Sequence, residues 1–515
     1  MDTVITATDT PGQASFTPPM PPLAPDRVGA LGVLAGLRRN AYSAFPPRCR
    51  EQAVLVLPML GRDVVVAAGP QAMRDVLATR PDLYRRIAAG DRIFGALIGR
   101  GVAASEGQAW RRQRRTLAPA FTPRTVTLLA PHMAACAEAA FARLEASRGE
   151  PVNLLGVMQD LSLAVACTSM FSLEVDAFGP QLRALLLSYA DGVGRPRASD
   201  FILPPRVPTL ATLRRARFRR RWRALILAII ARRRAAHHPG APRDLFDLLS
   251  EAYGDREEDL LADEVSTMIF AGHETTGLTL FWACYLLANA PDWRRAVRRE
   301  ARRVDPSPGG AGSAVGALPQ TRAVVDEALR LYPPAYMTAR QAVADHALCG
   351  VPVKRGAIVL MPFTLLHTDP RLWTSPERFD PGRFLGPEKP DRYSFLPFGA
   401  GPRVCIGAQL ATSEAVLVLA RLLRDNELVL DDDGPVLPVG SFATRPSRSR
   451  PSACFRPRDG AGDLRPRRAS SARPAGFLSL VRGSGSARGP GSGPPTATRR
   501  AARSSPPASV PPPAR

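Results

Sequence analysis

One cysteine, Cys405, stands in a ten-residue frame, FGAGPRVCIG, from Phe398 to Gly407. Gly399, Gly401 and Gly407 permit a tight backbone turn that a chain of bulkier residues could not make. The stretch that follows, IGAQLATSEAVLVLARLL, has the apolar spacing of an amphipathic helix. Cys405 therefore falls at or just before a helix N-terminus, where free N–H groups and the positive end of the dipole favour a thiolate. Arg403 adds a cation two residues earlier. A lone cysteine is most often a small buried hydrophobe. Five constrained positions within ten residues point instead to a thiolate held close to a flat group.

A second unusual cluster is AGHETTG, Ala271–Gly277, inside the long apolar stretch Leu260–Ala288. Gly272 costs about 1 kcal/mol relative to alanine in a helix interior. A threonine hydroxyl there can bond to a backbone carbonyl and open the helix locally. Glu274 and Thr275 form an acid–alcohol pair suited to passing protons. The alternative is a kink with a capping threonine. His273 is expected to point away and is given no catalytic role. Glu327 and Arg330, in EALRLYPP, lie at i and i+3 on one helix face.

Together these segments resemble the cytochrome P-450 family. Phe398, Gly401, Arg403, Cys405 and Gly407 fit its haem-binding loop. Ala271, Gly272, Glu274, Thr275 and Thr276 fit its oxygen-activation segment. Glu327 and Arg330, with Arg378 of the PERF sequence, resemble its Glu–Arg–Arg triad, a structural network. Trp110 and Arg114 in WRRQRR, one helical turn apart, resemble its propionate-binding pair. Arg340 and Arg403 correspond to further propionate cations. His367 and Trp373 are expected to pack and hydrogen-bond, not to ligate. The resemblance implies haem b (iron protoporphyrin IX) with Cys405 as the iron ligand, whose cysteinate pushes electron density onto the metal and favours O–O cleavage.

The implied fold is mainly α with a minor β-sheet region, a cytochrome P-450 fold with a long central helix and a proximal cysteine loop. Ala53–Ala68 reads as two strands about a Gly61-Arg62-Asp63 turn, and Pro70–Thr79 as helical. Helical patterns dominate from Gln108 to Ala235, interrupted by the proline-rich Phe201–Thr209. Arg214–Arg234 is densely basic around an apolar stripe. Three regions are expected: a flexible proline-rich leader over 1–25, a haem domain over 26–445, and a disordered Arg/Ser/Pro/Gly-rich tail over 446–515.

Charge is uneven. The net +23 includes fifteen arginines, no lysine and two acids from Ser441 onward, which leaves +10 on the first 440 residues. Seven scattered cysteines with no CxxC pair argue against a disulfide framework or zinc site and fit a reducing compartment. Val28–Leu37 is far shorter than the roughly 20 apolar residues of a membrane span. No membrane anchor is expected, and the location is expected to be cytoplasmic.

The expected activity is a monooxygenase acting on a hydrophobic small molecule, with electrons from a ferredoxin or flavodoxin and its reductase. A basic face around Arg111, Arg112 and Arg115 would attract such an acidic donor. A peroxide-driven or rearranging haem-thiolate enzyme is one alternative. A haem-based sensor whose tail contacts nucleic acid is another, though the tail lacks the interleaved aromatics of a nucleic-acid arm. Phe94, Leu97, Ile98, Phe201, Ile202, Met268, Phe270, Tyr336 and Met337 are candidate pocket residues.

Overall fold

Thirty-two consecutive residues, Glu258–Asn289, form one helix, and it organises the fold. Glu258 and Asp259 suit its positive N-terminal end, and Pro291 begins the next helix just beyond it. At about 1.5 Å per residue it runs about 48 Å, enough to cross a domain. Nearly every side chain from Leu261 to Leu287 is buried. Its main partner is the helix Leu154–Phe171. A Cβ on Gly277 would lie 3.0 Å from the Cα of Gln159, and one on Gly272 would lie 3.1 Å from the Met170 methyl and 3.2 Å from the Ala166 methyl. The two glycines thus let the helices approach closely.

The structure is a computed structural model. It describes residues 16–457, apart from 60, 147–149, 173–177, 198, 201–202, 204–206, 236–243, 432–433 and 449–451. The chain divides into two units, Met1–Ala461 and Gly462–Arg515, and all described residues belong to the first. Helices Pro123–Ala146, Leu210–Ala235, Pro319–Leu331 and Ala408–Asp425 complete the helical body. Two helices, Pro123–Ala146 and Leu154–Phe171, are long and apolar enough to cross a bilayer by composition. The second is mostly buried against other helices, as a core helix of a globular body is.

A five-stranded sheet sits beside the helices. Its strands are β1 (Val54–Leu57), β2 (Val64–Ala67), β3 (Tyr84–Arg85), β4 (Met337–Ala342) and β5 (Ile358–Pro362), in the order β1-β2-β5-β4-β3. Only the β2–β5 pairing is parallel. β1 and β2 turn at Gly61, whose φ of 75° suits glycine. The expected strands at 53–68 and helix at 70–79 are present, the latter as Pro70–Arg74 running into a wider turn through Thr79.

The packed body extends past both expected limits. The Phe379 N–H donates to the Phe16 carbonyl, and the Phe16 ring meets Tyr285 edge to face, within the stretch assigned to the leader. Ser452–Pro457 pairs with Asn426–Leu430 and with Val152–Asn153, within the stretch assigned to the tail. Ala453, Cys454 and Phe455 are buried there, a short apolar run in a basic surround. Residues 1–15 and 458–515 lie outside the described residues.

Candidate functional site

The cysteine loop folds as its glycines dictate. Gly399 and Gly401 adopt φ of 70° and 71°. A Cβ on Gly401 would sit 1.9 Å from the Leu77 carbonyl oxygen, so no side chain fits. Gly407 has an ordinary φ and caps the helix Ala408–Asp425. The Cys405 N–H donates to the Phe398 carbonyl at 2.9 Å, closing the loop. Cys405 therefore precedes the helix and remains reachable by solvent, whereas four of the other six free cysteines are buried. Protein hems the sulfur in on its remaining sides. That burial pushes its pKa up, opposed by the Gly407 N–H and the nearby Arg114 charge.

Beside this loop the protein gathers arginines. Arg403 is 3.0 Å from Glu106 and donates to the Ser105 carbonyl at 3.0 Å. Its guanidinium lies over the Trp110 ring, 4.4 Å from the centroid. Arg340, on β4, donates to Thr338 Oγ1 and the Ala339 carbonyl. Burial, then the charges of Arg86 and Arg403, pull its pKa down to about 10. Arg86 is likewise lowered, chiefly by burial, and its Nε is buried with no hydrogen-bond partner. Arg114 interacts electrostatically with Cys405: burial lowers its pKa and the cysteine's charge raises it. Three clustered arginines thus face two carboxylates, half-exposed Glu106 and, beside Arg86, Asp91. The surplus charge and the orphaned Nε fit the two propionates of haem, and the accessible thiol fits its iron. Arg86 was not among the expected residues; ending the RR pair after Tyr84, it carries no local pattern.

On the central helix the expected acid–alcohol pair separates. Thr275 Oγ1 donates to the Ala271 carbonyl at 2.7 Å, as a mid-helix threonine can, and the helix is continuous there. Ala271 is exposed in the middle of an otherwise buried helix, so this turn faces open space. Glu274 turns elsewhere: it accepts from Gln159 Nε2 at 2.9 Å and Arg445 Nε at 2.7 Å. Adjacent helical residues point about 100° apart, which is why the two side chains do not meet. Gly272 faces Met170 and Ala166, so it serves helix packing and not an oxygen groove. Arg445 also pairs with Asp191 at 2.5 Å. Burial would lower its pKa, but Glu274 and Asp191 together hold it above the usual value. In the sequence Arg445 is the last residue of the expected haem domain and shows no sign of this partnership. His273 is buried with both ring nitrogens unpaired; burial lowers its pKa to about 4, so it is neutral.

The triad forms with one exchange. Arg330 grips both Glu327 oxygens at 2.7 Å, and both residues are fully buried. The third arginine is Arg383, 3.2 Å from Glu327. The Arg378 side chain is exposed, and only its carbonyl takes part, accepting from Arg330 at 3.0 Å. Two Arg-Phe pairs, in PERF and PGRF, stand five residues apart, and the turn Pro381–Phe384 aims the later one inward. Trp373 lies against both Arg330 and Arg383. His367 Nε2 accepts from the Leu396 N–H, so Nδ1 carries the proton toward the Arg330 carbonyl. This histidine ties the triad to the segment that enters the cysteine loop.

Of the expected pocket residues, Phe94 and Phe270 cluster with Phe442 and Tyr189, ring centroids 5.6–6.2 Å apart. Leu97, Ile98 and Met268 are buried in the core. Tyr336 donates to the Ser441 carbonyl, and Met337 is partly buried on β4. Phe201 and Ile202 lie outside the described residues.

A mainly helical body here presents an accessible cysteine just before a helix N-terminus, beside partly buried arginines in excess of their carboxylates. The model of the cytochrome P-450 family matches residues 21–450. Cyclooctat-9-en-7-ol 5-monooxygenase of Streptomyces melanosporofaciens is 32% identical over 438 residues, covering 80% of this chain and 91% of that protein. Cyclooctatin synthase of the same organism is 30% identical, covering 75% and 87%. A cytokinin hydroxylase of Arabidopsis thaliana is also 30% identical, covering 68% and 71%. The chain belongs to the cytochrome P-450 family and is a monooxygenase.

Proposed function

We propose that this enzyme inserts one atom of dioxygen into a hydrophobic organic substrate while the other leaves as water, using two electrons from a separate ferredoxin or flavodoxin and its reductase. The observation that carries this reading is the accessible Cys405 thiol next to the under-neutralised cluster of Arg86, Arg340 and Arg403. Cys405 would ligate the iron of haem b, and the three arginines with Trp110 would hold its propionates. Bound there, haem supplies dioxygen binding and O–O cleavage, aided by the electron density of the thiolate.

The remaining chemistry belongs to side chains. Arg114 and the Gly407 N–H favour the thiolate form of Cys405. Thr275, in the mid-helix turn where Ala271 is exposed, holds a hydroxyl proton toward Ala271 O and can pass it on when that bond swings away. Glu274 is the acid of the pair, and Arg445 with Gln159 parks it away from Thr275. Proton delivery then needs Glu274 to leave Arg445 and approach the hydroxyl, a rotation whose landing place is the same helical turn.

The Phe94–Phe270–Phe442 cluster supports an apolar substrate. The relatives named above for cyclooctat-9-en-7-ol and for cytokinin differ in the compound their names give, so the substrate class stays at hydrophobic small molecule. Seven free cysteines support a reducing, cytoplasmic setting. Oxidation under isotopically labelled dioxygen, with NADPH and surrogate redox proteins, tests the reading. One labelled oxygen per product is expected. Equal product from peroxide without reductant would replace the monooxygenase cycle with a peroxide-driven one.

A further inference from the structure

Phe442, which meets Phe94, Tyr189 and Phe270 at ring-centroid distances of 5.6–5.7 Å, stands at the turn of a short hairpin. Its strands are Pro438–Gly440 and Thr444–Pro446, joined antiparallel through three residue pairs. An isolated two-stranded hairpin is marginal in water, so this one takes its position from whatever grips it. The core grips the second strand. The Thr444 hydroxyl donates to the Pro333 carbonyl at 2.5 Å, and the Thr444 carbonyl accepts from Trp282 Nε1 at 2.9 Å. Tyr42 O–H donates in turn to Thr444 Oγ1 at 3.2 Å.

The first strand is gripped by Asn40, 398 positions earlier in the chain. Asn40 ends the helix Ala30–Arg39 with extended backbone, which aims its side chain away from that helix. Its Nδ2 donates to the Pro438 carbonyl at 2.9 Å, and its Oδ1 accepts from the Gly440 N–H at 2.9 Å. One amide thus bonds the carbonyl of one residue and the N–H two residues on, the two groups that a residue of a parallel neighbouring strand would take. A carbonyl takes only a donor and an N–H only an acceptor, so the amide has one orientation. Oδ1 also accepts from the Tyr42 N–H at 3.1 Å and caps the turn Ala41–Ser43. The fit is close: a Cβ on Gly440 would lie 2.9 Å from the Ala41 methyl and 3.3 Å from the Tyr336 ring.

We propose, resting on the reading of Phe94, Phe270 and Phe442 as pocket wall, that Asn40 is a positioning residue for substrate selection: its amide clamps the strand Pro438–Gly440 and so fixes how far Phe442 enters the pocket. Asn40 acts through the hairpin backbone and not by contact with substrate. A ligand large enough to meet Phe442 feels the clamp, and a small one does not.

The test uses the full haem-loaded chain and two probes that ligate iron through a ring nitrogen, imidazole and 4-phenylimidazole, each titrated by its Soret shift. Asn40→Leu should weaken 4-phenylimidazole about fivefold, the worth of one neutral hydrogen bond, and leave imidazole unchanged. Asn40→Asp keeps the acceptor for Tyr42 and Gly440 but not the donor to Pro438. It should weaken the larger probe as well, which separates the clamp from the local cap. With Phe442→Ala already present, Asn40→Leu should add nothing, because the two act through one contact. Hydrogen exchange gives a readout free of any ligand: the Gly440 amide should exchange faster in Asn40→Leu, while the Thr444 amide, bonded to the Pro334 carbonyl, should not change. Unchanged exchange at Gly440 overturns the proposal. So does an equal loss for both probes, or a loss in Asn40→Leu that persists in full without Phe442. Phe442→Ala alone reads the pocket: unchanged 4-phenylimidazole affinity there overturns the pocket reading and the proposal together. A loss there with none in either Asn40 variant overturns the proposal alone.

Discussion

The cysteine side of the site and the central-helix side are built differently. The parts of the cysteine loop lie within ten residues, and its geometry follows from Gly399 and Gly401, which take positive φ, the second with no room for a side chain. The Glu274 side draws on four separate segments: Glu274 itself, Gln159 on the neighbouring helix, Asp191 and Arg445. One side is fixed by local backbone, the other by side chains that meet only after folding. A locally fixed site can be read from a short pattern, and an assembled one can be rearranged by motion.

The largest expected effect lies in the network that supports the cysteine side. Glu327→Gln leaves Arg330 buried without its counter-charge and should destabilise the enzyme by about 3–5 kcal/mol, read as a lowered midpoint in urea. Arg383→Ala should follow it in direction, whereas Arg378→Ala should stay within about 0.5 kcal/mol. A large loss at Arg378 would restore the sequence-based triad.

On the central helix, Glu264 accepts from the Val102 N–H at 3.0 Å and ties the preceding loop down. Burial raises its pKa to about 7, against the ordinary 4.5. A carboxyl raised on folding binds its proton more tightly in the native state. Its contribution is therefore complete below about pH 4.5 and is lost as pH rises through about 7. The upper bound on that loss is about 3 kcal/mol. Thermal unfolding followed across this range should show the decline in the parent and a flatter profile in Glu264→Gln.

Glu274→Gln should lower turnover by about 10²-fold with haem content unchanged, as befits a proton-transfer group. Arg445→Lys should retain more activity than Arg445→Leu, because it keeps a cation on Glu274. The smallest effect belongs to Arg86. Arg86→Leu should speed haem transfer to a competing apoprotein by about tenfold, the worth of one charged hydrogen bond.

Legibility in the sequence followed the same divide. Cys405, Gly401, Phe398 and the Glu327–Arg330 pair stand where the pattern places them, because each is set by neighbours a few residues away. The central helix was visible from its apolar length, and β1 and β2 from the turn at Gly61. Arg383 was missed because two equivalent Arg-Phe pairs compete and only the turn after Asp380 chooses between them. Arg445 and Gln159 were missed because nothing near them in sequence mentions Glu274. Gly272 was assigned to chemistry when its position against Met170 gives it to packing. Arg86 emerged only from the charges around it in space.

The central claim is that Cys405 is a thiolate ligand to haem iron. The difference spectrum of the reduced enzyme with and without carbon monoxide tests it most directly. A strongly red-shifted thiolate-type Soret band, lost in Cys405→Ser, is expected. A band at the position given by histidine-ligated haem, or an unchanged spectrum in Cys405→Ser, would contradict it.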